Sequence, residues 1–249
     1  MGTAHVLEAV RQVGGGRAVV AVTTDKCYDN REWRWGYRED EALGGHDPYS
    51  SSKGAAELVT AAYRRSYFMN SDCAVASARA GNVIGGGDWA ADRLVPDVLK
   101  AFEQRQPVIL RSPQATRPWQ HVLEPLAGYL ALAEALHSQG QAVAEAWNFG
   151  PADDDTRPVQ WIVERLARLW RDGARWDLET SPQPHEAHFL KLDCSKARQR
   201  LGWQPAWTLD EALTRIVHWH QAWLAGADMH SHTLREIHDY TEHLNRRTP

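Results

Sequence analysis

Arg17-Ala18-Val19-Val20-Ala21-Val22-Thr23-Thr24-Asp25-Lys26 is the stretch that decides the fold. Its small and β-branched run shows no polar alternation, so it reads as a strand covered on both faces, the habit of a buried parallel sheet. The run ends in four polar residues, and side chains at the carboxyl end of a parallel strand face the crevice where ligands bind. A hydroxyl, a carboxylate and an amine there can act as hydrogen-bond donor, acid and base. An Asp/Thr turn that only caps local backbone groups is the alternative.

Working outward, Val6, Leu7, Val10 and Val13 recur at helical spacing within residues 3–13, and Gly14-Gly15-Gly16 ends that helix before the strand begins. After the strand a polar loop runs to about residue 47. Residues 49–68 then have helical character, with Ala55, Leu58, Val59 and Ala62 on one face. CAVASARA (73–80) is a second buried strand, followed by Gly81 and the Gly85-Gly86-Gly87 loop. A helix near 92–104, a strand at 108–110, a helix from about 121 to 137, a strand at 146–149 and a helix at 159–170 follow. Helices near 195–201, 209–224 and 232–245 complete the pattern. Alternating strands and helices predict an α/β protein: a parallel sheet with a smaller, mixed C-terminal part.

The order of glycines matters. A dinucleotide-binding loop follows a strand and opens a helix, so that the helix N-terminus meets the pyrophosphate. Gly14–Gly16 precedes its strand, so it is a helix stop. Gly85–Gly87 does follow a strand, yet it has neither the G-x-G-x-x-G spacing nor the Gly-Lys-Ser/Thr of a P-loop. Neither run is a phosphate fingerprint.

Composition narrows the function classes. The 249 residues are 43% hydrophobic and 24% charged with a net charge of −4, which argues against a nucleic-acid binder. No apolar run is long enough to span a membrane, and the N-terminus has no secretory pattern, so a cytoplasmic location is expected. Cys27, Cys73 and Cys194 form no Cys-x-x-Cys pair and read as reduced, buried thiols. Histidines 218, 220, 230, 232, 238 and 243 crowd the C-terminus, but no carboxylate or cysteine set completes a metal site, so no metal is expected. Most of the twelve tryptophans read as packing mass, with Trp33 and Trp35 open to a role over a ligand.

The strongest local signal is Asp47-Pro48-Tyr49-Ser50-Ser51-Ser52-Lys53. Proline presets a helix start, and Tyr49 and Lys53 then lie one turn apart on one face. A lysine ammonium beside a phenol favours the phenolate, so the hydroxyl can take or give a proton. Taken alone, such a pair is more often an ordinary surface pair. Arg79-Ala80-Gly81-Asn82 ends the next strand on the same edge. Arg93, Arg111 and Arg117 could grip a diphosphate by paired contacts, although a single arginine is more often a surface group.

The order Thr24-Asp25, Tyr49-x-x-x-Lys53, Arg79-Ala80-Gly81-Asn82, Arg93-Leu94-Val95-Pro96, Arg117-Pro118-Trp119 and Asn148-Phe149-Gly150 resembles the extended short-chain dehydrogenase/reductases that act on nucleotide sugars. The stretches TTDKCYDN, WGYRED, GGHDPYSSSKGAAELV, SARAGNVIGGGDWAADRL and RPWQHVLEPL look like the CDP-glucose branch of the 4,6-dehydratases. The resemblance runs from about residue 2 to residue 245.

It implies a Rossmann-like NAD-binding domain from residues 1–84 and about 118–150. It implies a nucleotide-sugar-binding domain from about 85–117 and 151–249. The reaction implied is NAD-dependent dehydration of CDP-glucose to the 4-keto-6-deoxy sugar, in deoxysugar biosynthesis. Tyr49 would take the O4 proton as hydride leaves C4, Lys53 would hold the nicotinamide ribose, and Thr24 would hydrogen-bond the sugar. Asp25 matches the acid that protonates the departing C6 hydroxyl. Asn82, Arg93, Arg117 and Asn148, with Arg111 as a looser match, correspond to contacts with the nucleotide and diphosphate. Lys26 stands where dTDP-sugar dehydratases often have glutamate. It is carried forward as the base at C5, with an orienting role left open while Tyr49 or a water serves C5.

In this family a strand, a G-x-x-G-x-x-G turn and about a hundred further residues precede the counterpart of Met1. The N-terminal half of the dinucleotide-binding sheet is thus expected to be missing, by a late start assignment or by real truncation. A real truncation predicts a bare sheet edge and a poorly folded product without turnover. A homodimer through the helices at 3–13 and 50–68 is the expected assembly of a full-length form. The alternatives are a related nucleotide-sugar epimerase or reductase, or a remnant without catalysis. Asp25 beside Lys26 speaks against a simple C4 epimerase, which needs no acid for loss of water.

Overall fold

A computed structural model describes residues 1–179 and 189–247. In chain order the elements are α1 (Gly2–Val13), β1 (Ala18–Val22), α2 (Pro48–Tyr63), β2 (Ala74–Ala80), β3 (Asn82–Ile84), α3 (Leu94–Glu103), β4 (Pro107–Leu110), β5 (Thr116–Arg117) and β6 (Trp119–His121). They continue with α4 (Leu123–Gln139), β7 (Ala146–Phe149), β8 (Arg157–Pro158), α5 (Val159–Trp170), β9 (Arg175–Leu178), α6 (Ser195–Leu201), α7 (Leu209–Leu224) and α8 (Met229–Arg247). Each helix and strand expected from periodicity has its counterpart. The short strands β3, β5, β6, β8 and β9 are new.

The chain divides into two units, the first comprising residues 1–81, 125–150 and 190–204. Its sheet has the order β1-β2-β7, parallel throughout, with Val22 opposite Ala78 and Arg79 opposite Asn148. All seven residues of β2 are buried, the reason its sequence is a run of small residues without alternation. Gly14 takes φ 68° at the end of α1, so the glycine run is the helix stop that its position before β1 suggested. Leu7 of α1 packs with Phe68, Cys73 and Val75, while Trp147, Phe149, Leu132, Leu136 and Trp203 fill the larger core.

Residues 190–204, expected in the substrate domain, belong to this first unit. Leu192, Cys194, Ala197 and Trp203 are buried in its core, and α6 packs on β7. Cys27, Cys73 and Cys194 are free thiols, all buried.

The second unit comprises residues 82–124, 151–189 and 205–249. Here β3 pairs parallel with β6, β4 parallel with β9, and β5 antiparallel with β8. The β3–β6 pairing corrects the expectation that residues 82–84 and 118–124 belong to the dinucleotide-binding part. Val98, Phe102, Ile162, Leu166, Leu213 and Ile216 from α3, α5 and α7 form its core. Thr208 caps α7 reciprocally with Glu211.

Gly128 marks a tight place in the first unit. A Cβ there would lie 2.3 Å from the Phe149 ring, which is itself set edge-on against Tyr129 and Trp203 at 5.6 and 5.0 Å. Gly128→Ala is therefore expected to cost about 1–3 kcal/mol of unfolding free energy by overpacking. Urea denaturation reads this directly; an unchanged midpoint would mean that the ring has room to move.

Candidate active site

Thr23 extends the β1 ladder by one bond, its amide donating to the Ala78 carbonyl at 2.8 Å. The chain then turns through a single 3-10 turn, Asp25–Cys27, whose N-cap is Thr24. The Thr24 hydroxyl donates to Asp25 Oδ1 at 3.0 Å and accepts from the Lys26 amide at 3.4 Å. Asp25 is buried, whereas Thr24 and Lys26 are half-buried. The capping reading of this turn is thus realised, with the same hydroxyl lying beside the Asp25 carboxyl.

The α2 helix begins where proline at its first position predicts. Asp47 accepts from the Ser50 amide at 3.0 Å and from the Ser50 hydroxyl at 2.5 Å. These two bonds hold the Asp47 carboxyl below its usual range, and the Lys26 charge lowers it further. Tyr49 is exposed and Lys53 half-buried, with the Lys53 Nζ 5.6 Å from the Tyr49 ring centroid. The helix packs closely on the Asp25–Cys27 turn. A Cβ at Gly54 would stand 3.4 Å from the Cys27 carbonyl oxygen, at ordinary contact distance, which shows how near α2 lies to the turn. Within the first unit, then, the structure packs the Thr24-Asp25-Lys26 turn against the helix that carries Tyr49 and Lys53.

Asn148 has a different place. It is fully buried; its Oδ1 accepts from the Tyr28 hydroxyl at 2.7 Å, and its Nδ2 donates to the Tyr37 and Asp193 carbonyls at 2.8 and 3.2 Å. Both amide hydrogens are used inside the protein. Asn148, matched by resemblance to a substrate contact, ties β7 to the segments around Tyr37 and Asp193.

The second unit carries the other four candidates. Asn82 is half-buried at the start of β3, its amide donating to the Pro118 carbonyl at 3.1 Å. Arg93 is exposed at the N-cap of α3, and Arg111 is exposed just after β4. Arg117 is buried in β5 and donates to the Thr116 carbonyl at 3.1 Å.

Sequence reading missed the most organised feature of the first unit. Glu57, one turn beyond Lys53 and two beyond Tyr49 on the same helix, is only 2% exposed. Its Oε2 accepts from Ser77 Oγ at 2.6 Å and from Arg79 Nη2 at 2.9 Å, and its Oε1 accepts from the Thr23 hydroxyl. Arg79 also donates to the Tyr28 hydroxyl at 2.7 Å and to the Glu39 carbonyl at 3.1 Å. Burial alone would raise the Glu57 carboxyl, but Arg79 and the two hydroxyls outweigh it and hold the group lowered. Burial pushes Tyr28 up, and it raises Cys27 to about 12. The available signal was a lone glutamate at i+4 from Lys53 in an otherwise apolar stripe.

Comparison with known proteins now bears on this geometry. A family model described as GDP-mannose 4,6 dehydratase matches residues 1–216. The chain belongs to that family. Within this 4,6-dehydratase family, CDP-glucose 4,6-dehydratase of Salmonella typhimurium is 58% identical over 245 residues, covering 96% of this chain and 68% of the relative. The dTDP-glucose 4,6-dehydratase of Streptomyces antibioticus is 26% identical, covering 89% of this chain and 62% of its own length.

Among solved structures, the Streptomyces venezuelae dTDP-glucose 4,6-dehydratase with NAD bound superposes with a TM-score of 0.76 at 22% identity. That match covers 91% of this chain and 66% of the other. The Bacillus cereus UDP-glucuronic acid 4-epimerase, in complex with UDP-glucuronic acid and NAD, gives 0.76 at 19% identity, covering 89% and 66%. The α/β, Rossmann-like fold expected of this dehydratase family is thereby established. The chain spans about two thirds of the length of these relatives.

A buried carboxylate matched to a buried guanidinium makes a pH-dependent contribution. The Glu57 carboxyl is lowered on folding, so its stabilisation is present above the ordinary value of 4.5 and is lost as pH falls through the folded value. Glu57→Gln leaves Arg79 without its counter-charge and is expected to cost about 3 kcal/mol near neutral pH. In denaturant titrations the gap between wild type and Glu57→Gln should narrow as pH drops below 4.5, because the wild-type carboxyl then protonates too. A constant gap across that range would show that the charge is not what stabilises.

Proposed function

We propose that this chain carries the catalytic residues of an NAD-dependent nucleotide-sugar 4,6-dehydratase with CDP-glucose as substrate, in deoxysugar biosynthesis. The observation that carries the reading is the packing of the Thr24-Asp25-Lys26 turn against the helix bearing Tyr49 and Lys53. The 58% identity to a CDP-glucose 4,6-dehydratase supports the choice of substrate.

The residues fit the nicotinamide end of the cofactor. Tyr49 and Lys53 present a phenol and an ammonium, both accessible, on neighbouring turns of α2. No glycine turn that follows a strand and opens a helix in the dinucleotide pattern occurs among the described residues. When bound, NAD supplies a reversible hydride acceptor. Tyr49 takes the O4 proton of the sugar, and Lys53 holds the ribose and favours the phenolate. Thr24 donates a hydrogen bond to the sugar hydroxyl. Once C4 is a ketone, the C5 proton is acidic; Lys26 removes it while Asp25 delivers a proton to the departing C6 hydroxyl, after which C6 takes back the hydride removed from C4 and C5 is reprotonated, so that the net change is the loss of one water. Burial of Asp25 suits an acid, since low dielectric favours the protonated form of a carboxyl. Asn82, Arg93, Arg111 and Arg117 of the second unit are the proposed contacts for the nucleotide and diphosphate.

A C4 epimerase would use Tyr49 and Lys53 as well, so the discriminating residues are Asp25 and Lys26. The test uses the protein expressed from its whole reading frame with CDP-glucose and NAD. The expected product has lost one water, with solvent deuterium at C5. Tyr49→Phe should lower turnover by about 10²–10⁴-fold. Asp25→Asn and Lys26→Met should still permit oxidation at C4 while slowing water loss. Epimerised sugar with all its oxygens would assign the chain to the epimerases instead.

A further inference from the structure

The Glu57 carboxylate uses its two oxygens on two different segments. One takes the Ser77 hydroxyl and the Arg79 guanidinium of β2 at 2.6 and 2.9 Å; the other takes the hydroxyl of Thr23. Thr23 is the residue immediately before Thr24 and Asp25, and its backbone is still on the sheet through Ala78. Glu57 sits on α2, the helix of Tyr49 and Lys53, and positions 49, 53 and 57 are successive turns of one side of it. A single hydrogen bond therefore joins the two segments that hold every proposed proton-transfer residue.

The rest of the contact between these segments is less directional. The helix lies close to the turn around Gly54, but non-directional packing does not fix how far it slides or rotates. A carboxylate bonded to fixed donors does. Glu57 is gripped by two β2 residues whose own backbone is in the middle of the sheet, so it behaves as a rigid acceptor and Thr23 as the adjustable end.

We propose that the Thr23–Glu57 hydrogen bond is a positioning link that sets the Thr24-Asp25-Lys26 turn in register with Tyr49 and Lys53. The proposal rests on the dehydratase reading of those residues, and it assigns Thr23 and Glu57 to placement rather than to chemistry. Neutralising Arg79 is the competing role for Glu57. Thr23 separates the two, because its hydroxyl bonds Glu57 Oε1 whereas Arg79 pairs with Oε2 at 2.9 Å, so removing that hydroxyl leaves the ion pair in place.

Thr23→Val keeps the shape and deletes the donor, and Thr23→Ser keeps the donor. Two readouts apply. Amide hydrogen exchange on the protein without substrate should be at least about fivefold faster in residues 24–28 and 48–53 of Thr23→Val, with β2 unchanged and Thr23→Ser like wild type. In turnover of CDP-glucose, Thr23→Val should lose about tenfold or more in kcat with KM within about threefold, since a misplacement near 1 Å can cost about 10²-fold. Thr23→Ser should restore kcat.

Unchanged exchange in both segments of Thr23→Val would overturn the link, as would equal kcat losses in the serine and valine variants. If wild type itself shows no turnover of CDP-glucose, the dehydratase reading fails, and exchange still decides whether the two segments are coupled. Should Thr23→Val fold poorly, Thr23→Ala is measured in the same way, with faster exchange confined to residues 24–28 and 48–53 expected and exchange equal to wild type overturning the proposal.

Discussion

A carboxylate with 2% exposure survives in a protein interior only when its charge and lone pairs are met, and Glu57 is met by one guanidinium and two hydroxyls. Most of the first unit can be traced from that constraint. Arg79 must stay where Glu57 is, so the carboxyl end of β2 is set. Arg79 Nη1 donates to the Tyr28 hydroxyl and the Glu39 carbonyl, so the loop after β1 is set too. Tyr28 in turn donates to Asn148, which closes the network on β7. All three strands of the sheet are thus joined at one end by side chains as well as by the backbone ladder.

The same end of the sheet carries a column of rings and cations. Arg31 lies over Trp33, Trp33 against Tyr37, Tyr37 stacked on Tyr28 at 5.0 Å, and Arg79 over Tyr28 at 4.9 Å. Trp33 is therefore occupied as packing in this loop, while Trp35 stands exposed beside it. The second unit uses a comparable device: Glu124, 1% exposed, accepts from the Ala206 and Trp207 amides and from the Tyr240 hydroxyl. In each unit a buried acid holds irregular chain that periodic packing would leave loose.

How much of this was legible follows from how each residue works. The elements α1, β1, α2, β2, α4, β7 and α7 were readable because burial imposes a period, and the period is printed in the order of apolar residues. Two- and three-residue strands such as β3 and β5 have no room for a period, and their pairing is decided by partners far along the chain. That distance also misplaced residues 190–204. Their sequence reads as loop and short helix, and only Leu192, Cys194 and Trp203 packing in the core shows to which unit they belong. Thr24, Asp25, Tyr49 and Lys53 were legible because their spacing to a strand end or a helix start is local. The motif position of Asn148 gives no sign that Tyr28, Tyr37 and Asp193 use its amide, because those partners lie far along the chain.

Exposure separates the two kinds of polar residue at this edge. Tyr49 is exposed and Thr24, Lys26 and Lys53 are half-buried, which suits the ligand contacts proposed for them. Glu57, Ser77, Arg79 and Asn148 are closed off from solvent and hydrogen-bond only to the protein. A group that exchanges protons with a ligand cannot also be fully satisfied within the fold, because every donor spent internally is lost to the reaction. Asp25 is the exception, buried although it is the proposed acid. The Thr24 hydroxyl bonded to its Oδ1 at 3.0 Å ties that buried carboxyl to the half-buried side of the turn.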